Sequence, residues 1–351
     1  MSEKLPEAFM REAIELSRRG YPAPNPRVGC VIVRSGEVVG RGHHDYAGGA
    51  HAEVVALLDA GDRAHDADVY VTLEPCDHQG RTGPCTIALI NAGVKRVFYA
   101  VADPNPRAAG GAARLREAGI EVSEGLLAQE AAAVNHIFLA AMKLGRPFVV
   151  AKAAMSMDGK IATAKGESKW ITGPCAREQG HRLRAEMGAV LVGAGTVRCD
   201  NPKLTARIDG VVNQPVRIIL DPADSLPKDA NVFSGPGVFY QIIAGPPKSA
   251  NQIQLSNCNG LIDVHELLQE LWSRNITSVL VEGGGKTIGE FLKSDLVDRL
   301  ELFIAPIVIG EGLPWSGGFK VENLTDSPRF KVVATQLLAE DVWVTAERNR
   351  K

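Results

Sequence analysis

Three features of this sequence predict two successive α/β domains. Helical and strand periodicities alternate along the chain, Gly145-Arg146-Pro147 interrupts that alternation, and the length is 351 residues. Helices interleaved with strands build layered α/β units, and the length is more than twice a common domain size of about 150 residues. One large barrel is the alternative for a chain of this length.

Residues 6–20 carry a proline at their start, Phe9, Ala13 and Leu16 near one face, and a closing glycine, which predicts a helix. Asn25-Pro26 breaks it. Residues 28–33 and 37–41 alternate around Ser35-Gly36 and read as a β-hairpin. Periodicity then gives a helix over 51–61, a strand over 69–73, a helix over 85–93 and a strand over 96–101. A helix over 112–119, a strand over 120–122 and a helix over 128–144 close the first domain. Past the Gly-Pro break a strand follows at once over 148–154, with further strands at 189–192, 216–220, 278–281 and 300–304. Asp221-Pro222 and Pro246-Pro247 supply turns. The expected domains are 1–145 and 146–351, with no internal repeat or low-complexity tract.

Hydrophobic residues make up 45% and charged residues 23%, and 39 Lys plus Arg against 41 Asp plus Glu give a formal charge of −2. This is globular composition without a basic tail, which disfavours a broad nucleic-acid or anionic-membrane footprint and suits a small-molecule substrate. The opening MSEKLPE lacks the apolar stretch of a signal peptide, and no apolar run approaches the ~18 residues of a membrane span, so we expect a cytoplasmic protein. Six cysteines in a chain this long are not a disulfide framework, and each reads as a buried thiol or a ligand.

His51-Ala52-Glu53 is the triplet of a zinc deaminase, in which the histidine binds metal and the glutamate stays free to move protons. A strand over 69–73 runs into Glu74-Pro75-Cys76, and eight residues separate Cys76 from Cys85, which opens the next helix after Pro84. Unpaired amides at a helix N-terminus favour the thiolate that a metal needs. One His and two Cys leave a fourth tetrahedral position for water, the arrangement of a catalytic zinc. Glu53 would then shuttle protons in the hydrolytic deamination of an amino-substituted heterocycle. A structural Cys/His zinc knuckle is the alternative.

Beyond these ligands, NPRVGC at 25–30, HAEV, TLEPCDHQGRTGPC at 72–85, DPNP at 103–106 and Ala118-Gly119-Ile120 resemble the deaminase half of the bifunctional riboflavin-biosynthesis deaminase/reductase family. The long interval between the cysteines sets that family apart from the CxxC of tRNA and cytidine deaminases. The resemblance implies a cytidine-deaminase-like three-layer N-terminal domain holding Zn2+ through His51, Cys76 and Cys85. It places Asn25, His44, His78, Arg81, Thr82, Asp103 and Asn105 around the substrate. Arg81 would face the substrate phosphate, where a guanidinium can grip bidentately; its alternative is a solvated loop charge. The sequence departs from the family at Ala50, where Pro precedes HAE, at Asp77, where Ser is common, and at Gly83, where Pro is. The last two are expected to alter loop rigidity.

In the second half, VLVGAGTV at 190–197 suggests a dinucleotide fingerprint, but Arg198 stands where the third glycine belongs. GGGKT at 283–287 suggests a phosphate loop, but Leu280 stands where its first glycine belongs. What remains is a Gly283-Gly284-Gly285 turn into a helix starting near Thr287, which offers amides to a phosphate or is simply a tight turn. KAAMSMDGKIA from Lys152, GESKWIT from Gly166, HRLRAE from His181, GAGTVRCDNPKLTAR from Gly193 and VEGGGKTIGEF from Val281 resemble the same family's reductase domain, whose fold is dihydrofolate-reductase-like.

By that resemblance Ala154, Trp170, Thr196, Asp200 and the turn Gly283, Gly284, Gly285, Lys286, Thr287, Ile288 and Gly289 contact NADPH. Ser168, Arg184, Leu204, Arg207 and Glu282 contact the substrate. Arg184 and Arg207 make sense as phosphate clamps and Lys152 and Glu282 as polar groups at the reacting carbon, with salt bridges the alternative for both arginines. Where relatives show two consecutive aspartates, this chain has Asp200-Asn201. Trp170 either stacks on a ring or packs in a core. Cys30, Cys175, Cys199 and Cys258 read as buried thiols.

The expected partners are therefore phosphoribosyl aminopyrimidines and further copies of the chain in a homo-oligomer. A deaminase with a silent reductase domain, a zinc-dependent nucleic-acid-binding protein and a structural zinc protein are the rivals.

Overall fold

In the computed structural model, which describes residues 4–79, 83–106 and 108–350, the chain packs as two compact units. One is Met1–Leu144 with Gly210–Val212, the other Gly145–Asp209 with Asn213–Lys351.

The first unit is a five-stranded sheet in the order β2-β1-β3-β4-β5. Its strands are β1 (Gly29–Arg34), β2 (Glu37–His43), β3 (Asp68–Leu73), β4 (Arg96–Val101) and β5 (Glu121–Glu124). β1 runs antiparallel to both β2 and β3, while β3, β4 and β5 are parallel. Alternation sorts the strand residues onto two faces. Ile32, Val69, Val71 and Val97 meet α2 (Ala52–Ala60), α3 (Cys85–Asn91) and α4 (Gly111–Glu117). Val31, Val33 and Tyr70 meet α1 (Lys4–Ser17) and α5 (Ala128–Val134). The result is three layers, helices on both sides of one sheet.

The expected helix over 128–144 is two, α5 and α6 (His136–Leu144), parted at Asn135. The buried Asn135 amide pairs with the main chain of Arg27, accepting from its N–H at 2.8 Å and donating to its carbonyl at 2.7 Å. The hairpin turn is as read: Ser35 and Gly36 both have positive φ, 52° and 84°, the twist that suits a two-residue connection.

The second unit holds a nine-stranded sheet. In chain order its elements are β6 (Phe148–Ser156), β7 (Lys160–Thr163), α7 (Pro174–Glu186), β8 (Ala189–Gly193), α8 (Ala194–Asp200), β9 (Val216–Leu220), β10 (Phe239–Ile243) and β11 (Gln252–Gln254). Then come β12 (Asn257–Cys258), β13 (Leu261–Ile262), α9 (Val264–Ser273), β14 (Ser278–Val281), α10 (Gly285–Lys293), β15 (Arg299–Ala305), β16 (Gly312–Pro314), β17 (Phe330–Leu338) and β18 (Asp341–Arg348). The sheet order is β11-β10-β9-β8-β14-β6-β15-β18-β17. The seven strands from β11 to β15 are parallel, and the β17–β18 hairpin closes one edge antiparallel. Leu267, Leu271, Ile288, Phe291 and Leu292 of α9 and α10 join one core with the strand residues Val149, Leu191, Ile218 and Val279.

Among the described residues no helix is long and apolar enough to cross a membrane. Of the cysteines read as buried thiols only Cys30 is buried; Cys175, Cys199 and Cys258 are exposed. Cys30 lies on a core-facing strand position, whereas Cys175 and Cys199 lie on helices and Cys258 in a short, exposed hairpin.

Candidate active sites

The first site forms at the C-terminal ends of β3 and β4. Gly40 and Gly42 of β2 let α2 lie against the sheet: a Cβ at Gly42 would stand 2.1 Å from the Ala52 carbonyl oxygen, and one at Gly40 2.3 Å from that of Ala56. This close approach brings the start of α2, with His51 at its N-cap and Glu53 in its first turn, to where β3 delivers Cys76 and α3 begins at Cys85. His51 Nδ1 lies 3.1 Å from Cys85 Sγ and 3.5 Å from Cys76 Sγ. All three ligand atoms lie within 4.8 Å of one another. Bonds of about 2.05 Å to nitrogen and 2.3 Å to sulfur at tetrahedral angles would separate N and S by about 3.6 Å, so the trio fits a zinc ion after small adjustment.

Proton sharing within the trio supports that fit. A hydrogen bond from Cys85 and then one from His51 hold the Cys76 thiol down, to about 4, against the effect of burial. The same Cys76 contact, with burial, pushes Cys85 up. His51 is raised by its hydrogen bond to Cys76. One proton thus serves two sulfurs, and a dication in its place would let both ionise. Glu53, 3% exposed, is pushed up by burial.

Around this centre, His44 Nδ1 lies 3.0 Å from the Ala50 carbonyl oxygen. That acceptor fixes the ring proton on Nδ1, so His44 Nε2 accepts from the Asn25 amide at 3.0 Å. Burial holds His44 below its usual range, in keeping with a neutral ring. The His44 and His51 rings meet edge-on at 5.2 Å. Because Ala50 acts through its main chain, the missing proline removes no partner. Asp103 accepts from the Asn105 amide at 2.9 Å and is pushed up to about 6 by burial. The buried Nδ1 of His78 has no hydrogen-bond partner among the described residues. Arg81 and Thr82 lie outside the described residues.

Sequence reasoning missed Glu74. Its buried carboxylate accepts from the amides of Asp103 at 3.3 Å and Ala112 at 3.0 Å, tying the loop after β4 and the start of α4 to the ligand loop. Its place in Glu-Pro-Cys was the available signal. Asp77 accepts from Thr86 Oγ1 at 2.5 Å and pairs with Arg114 at 3.3 Å, so the departure from Ser binds the ligand loop to α3 and α4. A Cβ at Gly83 would meet nothing within 4 Å, and that departure opens no steric conflict.

The second site lies at the C-terminal ends of β6, β8 and β14. Arg184 of α7 grips Glu282, just past β14, through two bonds of 2.7 Å, and its Nη1 donates to the Thr205 carbonyl at 3.2 Å. Their side chains are 16% and 7% exposed, so the salt bridge is buried rather than superficial. Burial raises the Glu282 carboxyl, but the charges of Arg184 and Lys152 prevail and hold it at about 2. Lys152, half-buried, is pushed down by desolvation. Arg207 is exposed, with no carboxylate partner among the described residues, and its amide faces His181 Nδ1 at 3.4 Å. His181, which sequence reasoning also missed, is held at about 4 by burial and by Arg184 and Arg207. It stands three positions before Arg184, on the same helical face. Leu204, buried, adopts φ 56°, a strained conformation of the kind that clusters at functional turns.

Asp200 accepts from Ser168 Oγ at 3.2 Å and sits 3.8 Å from Lys169 Nζ. Asn201 explains itself: it caps α8 at φ 41° and its side chain accepts from the Asn231 amide at 2.8 Å, a left-handed cap that Asn tolerates. Trp170 is 70% exposed, with the Arg177 guanidinium 4.5 Å from its ring centroid, which removes core packing as its role. Thr196 Oγ1 accepts from the Gly284 amide at 2.8 Å. The following helix starts at Gly285, two residues earlier than expected. Within the Gly-rich turn, Gly285 and Gly289 let α10 touch the 314–317 main chain, where a Cβ would stand 2.2 Å from a carbonyl oxygen. Ile288 joins the core. Gly283, Gly284, Lys286 and Thr287 remain around the free end of the helix.

The sequence pattern of the RibD C-terminal domain matches residues 147–344, and that of the cytidine and deoxycytidylate deaminase zinc-binding region matches residues 3–101. The riboflavin biosynthesis protein RibD of Bacillus amyloliquefaciens is 43% identical, covering 97% of this chain and 95% of its own. The chain belongs to the RibD family. RibD of Escherichia coli K12 is 40% identical over 96% of this chain and 97% of its own. The solved structure of Acinetobacter baumannii RibD covers 99% of both chains at 38% identity and a TM-score of 0.89. The deaminase/reductase of Thermotoga maritima does so at 38% identity and a TM-score of 0.87. As a member of this family, the chain is a bifunctional deaminase and reductase of riboflavin biosynthesis, with a zinc-binding deaminase domain.

Proposed function

We propose that the first domain, 1–145, hydrolyses the amino group of 2,5-diamino-6-ribosylamino-4(3H)-pyrimidinone 5′-phosphate. The second, 146–351, would then reduce the ribosyl group of the product with NADPH to give 5-amino-6-(5-phosphoribitylamino)uracil. The observation that carries the reading is the pairing of a His51/Cys76/Cys85 trio beside a buried Glu53 with a cationic cluster at the strand ends of the second unit. The Thermotoga relative, described as a diaminohydroxyphosphoribosylaminopyrimidine deaminase and 5-amino-6-(5-phosphoribosylamino)uracil reductase, supports these substrates.

A zinc ion held by the trio would acidify a water to near neutrality. Glu53 takes up the proton that water loses, passes it to a ring nitrogen, and delivers a second to the departing amine, so water and aminopyrimidine become oxopyrimidine and ammonia. Asn25, held by His44, and His78 orient the ring, with Asp103 and Asn105 closing the loop beside it. Arg81 and Thr82 are assigned to the substrate by motif alone.

In the reductase unit bound NADPH would supply the hydride for C1′. Lys152, half-buried beside Glu282 and Arg184, is assigned the balancing proton. Arg207, which pairs with no carboxylate among the described residues, is the primary phosphate contact; Arg184, committed to Glu282, acts second. Ser168 and Leu204 border this substrate side. The amides of Gly285 and Lys286, which have no acceptor among the described residues, and Thr196 receive the cofactor diphosphate, with Ala154, Trp170 and Asp200 toward the nicotinamide.

A homo-oligomer fits the exposed β17, a nine-residue edge strand that leaves Val332, Val333 and Leu337 in solvent. The function is tested by separating the half-reactions: Glu53→Gln should abolish ammonia release from the diaminopyrimidine yet still oxidise NADPH when given the deaminated intermediate. Loss of both would refute independent sites.

A further inference from the structure

We propose that Gln214 is a positioning residue of the reductase reaction: by clamping the main chain of Ala206 it fixes where Arg207 meets the substrate phosphate, and so sets the preference for a phosphorylated sugar. This rests on the substrate reading above. The segment that carries Leu204 and Arg207 lies between α8 and β9, and residues 201–215 belong to no helix or strand. Leu204, Thr205 and Ala206 are nevertheless buried, so their main-chain polar groups need partners that secondary structure does not supply.

Side chains supply them. The Thr205 carbonyl accepts from Arg184 Nη1 at 3.2 Å. The Ala206 amide donates to Gln214 Oε1 at 2.8 Å, and the Ala206 carbonyl accepts from Gln214 Nε2 at 3.0 Å. The Arg207 amide donates to His181 Nδ1 at 3.4 Å. Two successive peptide units, 205–206 and 206–207, are thus each held at both ends, and Gln214 holds one end of each. Its side-chain amide gives one donor and one acceptor to a single residue, the exchange that a paired strand would otherwise make.

Gln214 is itself backed. Gly237, at φ 89°, lies so near that a Cβ there would stand 3.0 Å from Gln214 Cβ. The Gly237 carbonyl accepts from Arg217 Nη2 at 3.0 Å, and Arg217 Nη1 donates to the Ser234 carbonyl. Arg217, 1% exposed and with no carboxylate partner among the described residues, therefore fastens the turn behind Gln214. Arg207 leaves the held stretch exposed, its Nη1 donating to Thr205 Oγ1 at 3.4 Å. Turning the 206–207 peptide would carry the Arg207 guanidinium with it, while Lys152, Glu282 and the Gly-rich turn stand on other elements. The loss should fall on binding of the phosphate and leave the hydride step alone.

Steady-state kinetics of the full chain with NADPH and either 5-amino-6-(5-phosphoribosylamino)uracil or its dephosphorylated counterpart test this. Gln214→Met fills the same space against Gly237 without either hydrogen bond. It should raise KM for the phosphorylated substrate by roughly ten- to a hundredfold and leave kcat, KM for NADPH and turnover of the dephosphorylated substrate within twofold. Gln214→Glu, which keeps the acceptor and loses the donor, should show an intermediate rise. Arg207→Leu should give the same selective loss, and adding Gln214→Met to it should cost nothing further. An unchanged KM in either Gln214 variant, an equal loss on the dephosphorylated substrate, or additive losses in the double variant overturns the assignment while leaving the substrate reading intact. Equal KM values of the unaltered protein for the two uracils overturn both.

Discussion

Breaking the Glu282–Arg184 pair from one side should cost far more than breaking it from the other. Glu282→Gln preserves shape but leaves Lys152, Arg184 and Arg207 together without an anion, with the Arg184 side chain only 16% exposed. Removing one partner of a buried pair typically costs about 3–5 kcal/mol, and the two 2.7 Å bonds and low exposure place this pair in that class. Arg184→Met leaves Glu282 facing Lys152, so roughly half of that loss, about 2 kcal/mol, is expected. All four tryptophans, Trp170, Trp272, Trp315 and Trp343, lie in the second unit, so tryptophan fluorescence reports its unfolding alone. For a unit of this size the first substitution should lower Tm by roughly 6–20 °C and the second by roughly 4–8 °C. Inorganic phosphate should restore part of the Glu282→Gln loss by supplying the missing anion. Equal losses from the two substitutions, or no response to phosphate, would refute the view of this site as a cation cluster balanced by one carboxylate.

Three further outcomes follow from the same geometry. Glu53→Gln should lower deamination by about 10²–10⁴-fold with bound zinc unchanged by elemental analysis; a loss under tenfold would remove Glu53 from proton transfer. His181 is depressed to about 4 in the folded chain, so the unfolded chain binds more protons between pH 6.5 and 4 and stability falls as pH falls through that window. Discounted for partial exposure, the effect is ~1–2 kcal/mol, and His181→Asn should flatten tryptophan-monitored stability there; a slope equal to that of the unaltered protein would contradict it. Because His51 and Cys85 are both raised in the metal-free trio, metal binding must release protons. Zinc affinity measured by chelator competition should rise by roughly ten- to a hundredfold from pH 6.5 to 7.5, and a pH-independent affinity would exclude this trio as the ligand set.

The metal site was the most legible part of the sequence because its chemistry is written locally. His51 and Glu53 share one helix start, and each cysteine follows a proline at an element boundary. The strands of the first unit were readable from periodicity and turn chemistry, down to the positive-φ Ser35-Gly36 turn, as were β6, β8, β9, β14 and β15 of the second, whereas β10, β11 and the β17–β18 hairpin were not read. What escaped was set by distance along the chain. Nothing near Asn135 announces that its amide will pair with Arg27 and split a helix. Nothing near Glu74 shows that it will anchor the amides of Asp103 and Ala112. Arg184 reads as a phosphate clamp until Glu282, 98 positions away, is seen to occupy it. The glycines at 285 and 289 read as a nucleotide loop, yet their spacing also serves close packing against residues 314–317. Cys175, Cys199 and Cys258 show the limit of composition, since residue type alone does not reveal which face of an element meets solvent.

The central claim is that two sites on one chain act in sequence. Its most direct measurement supplies the diaminopyrimidine ribosyl phosphate and NADPH to the metal-replete protein and follows ammonia release and NADPH oxidation together. The account predicts both signals, ammonia leading, and loss of both in Glu53→Ala. Ammonia without NADPH oxidation would leave the second unit silent, and neither signal would contradict the assignment.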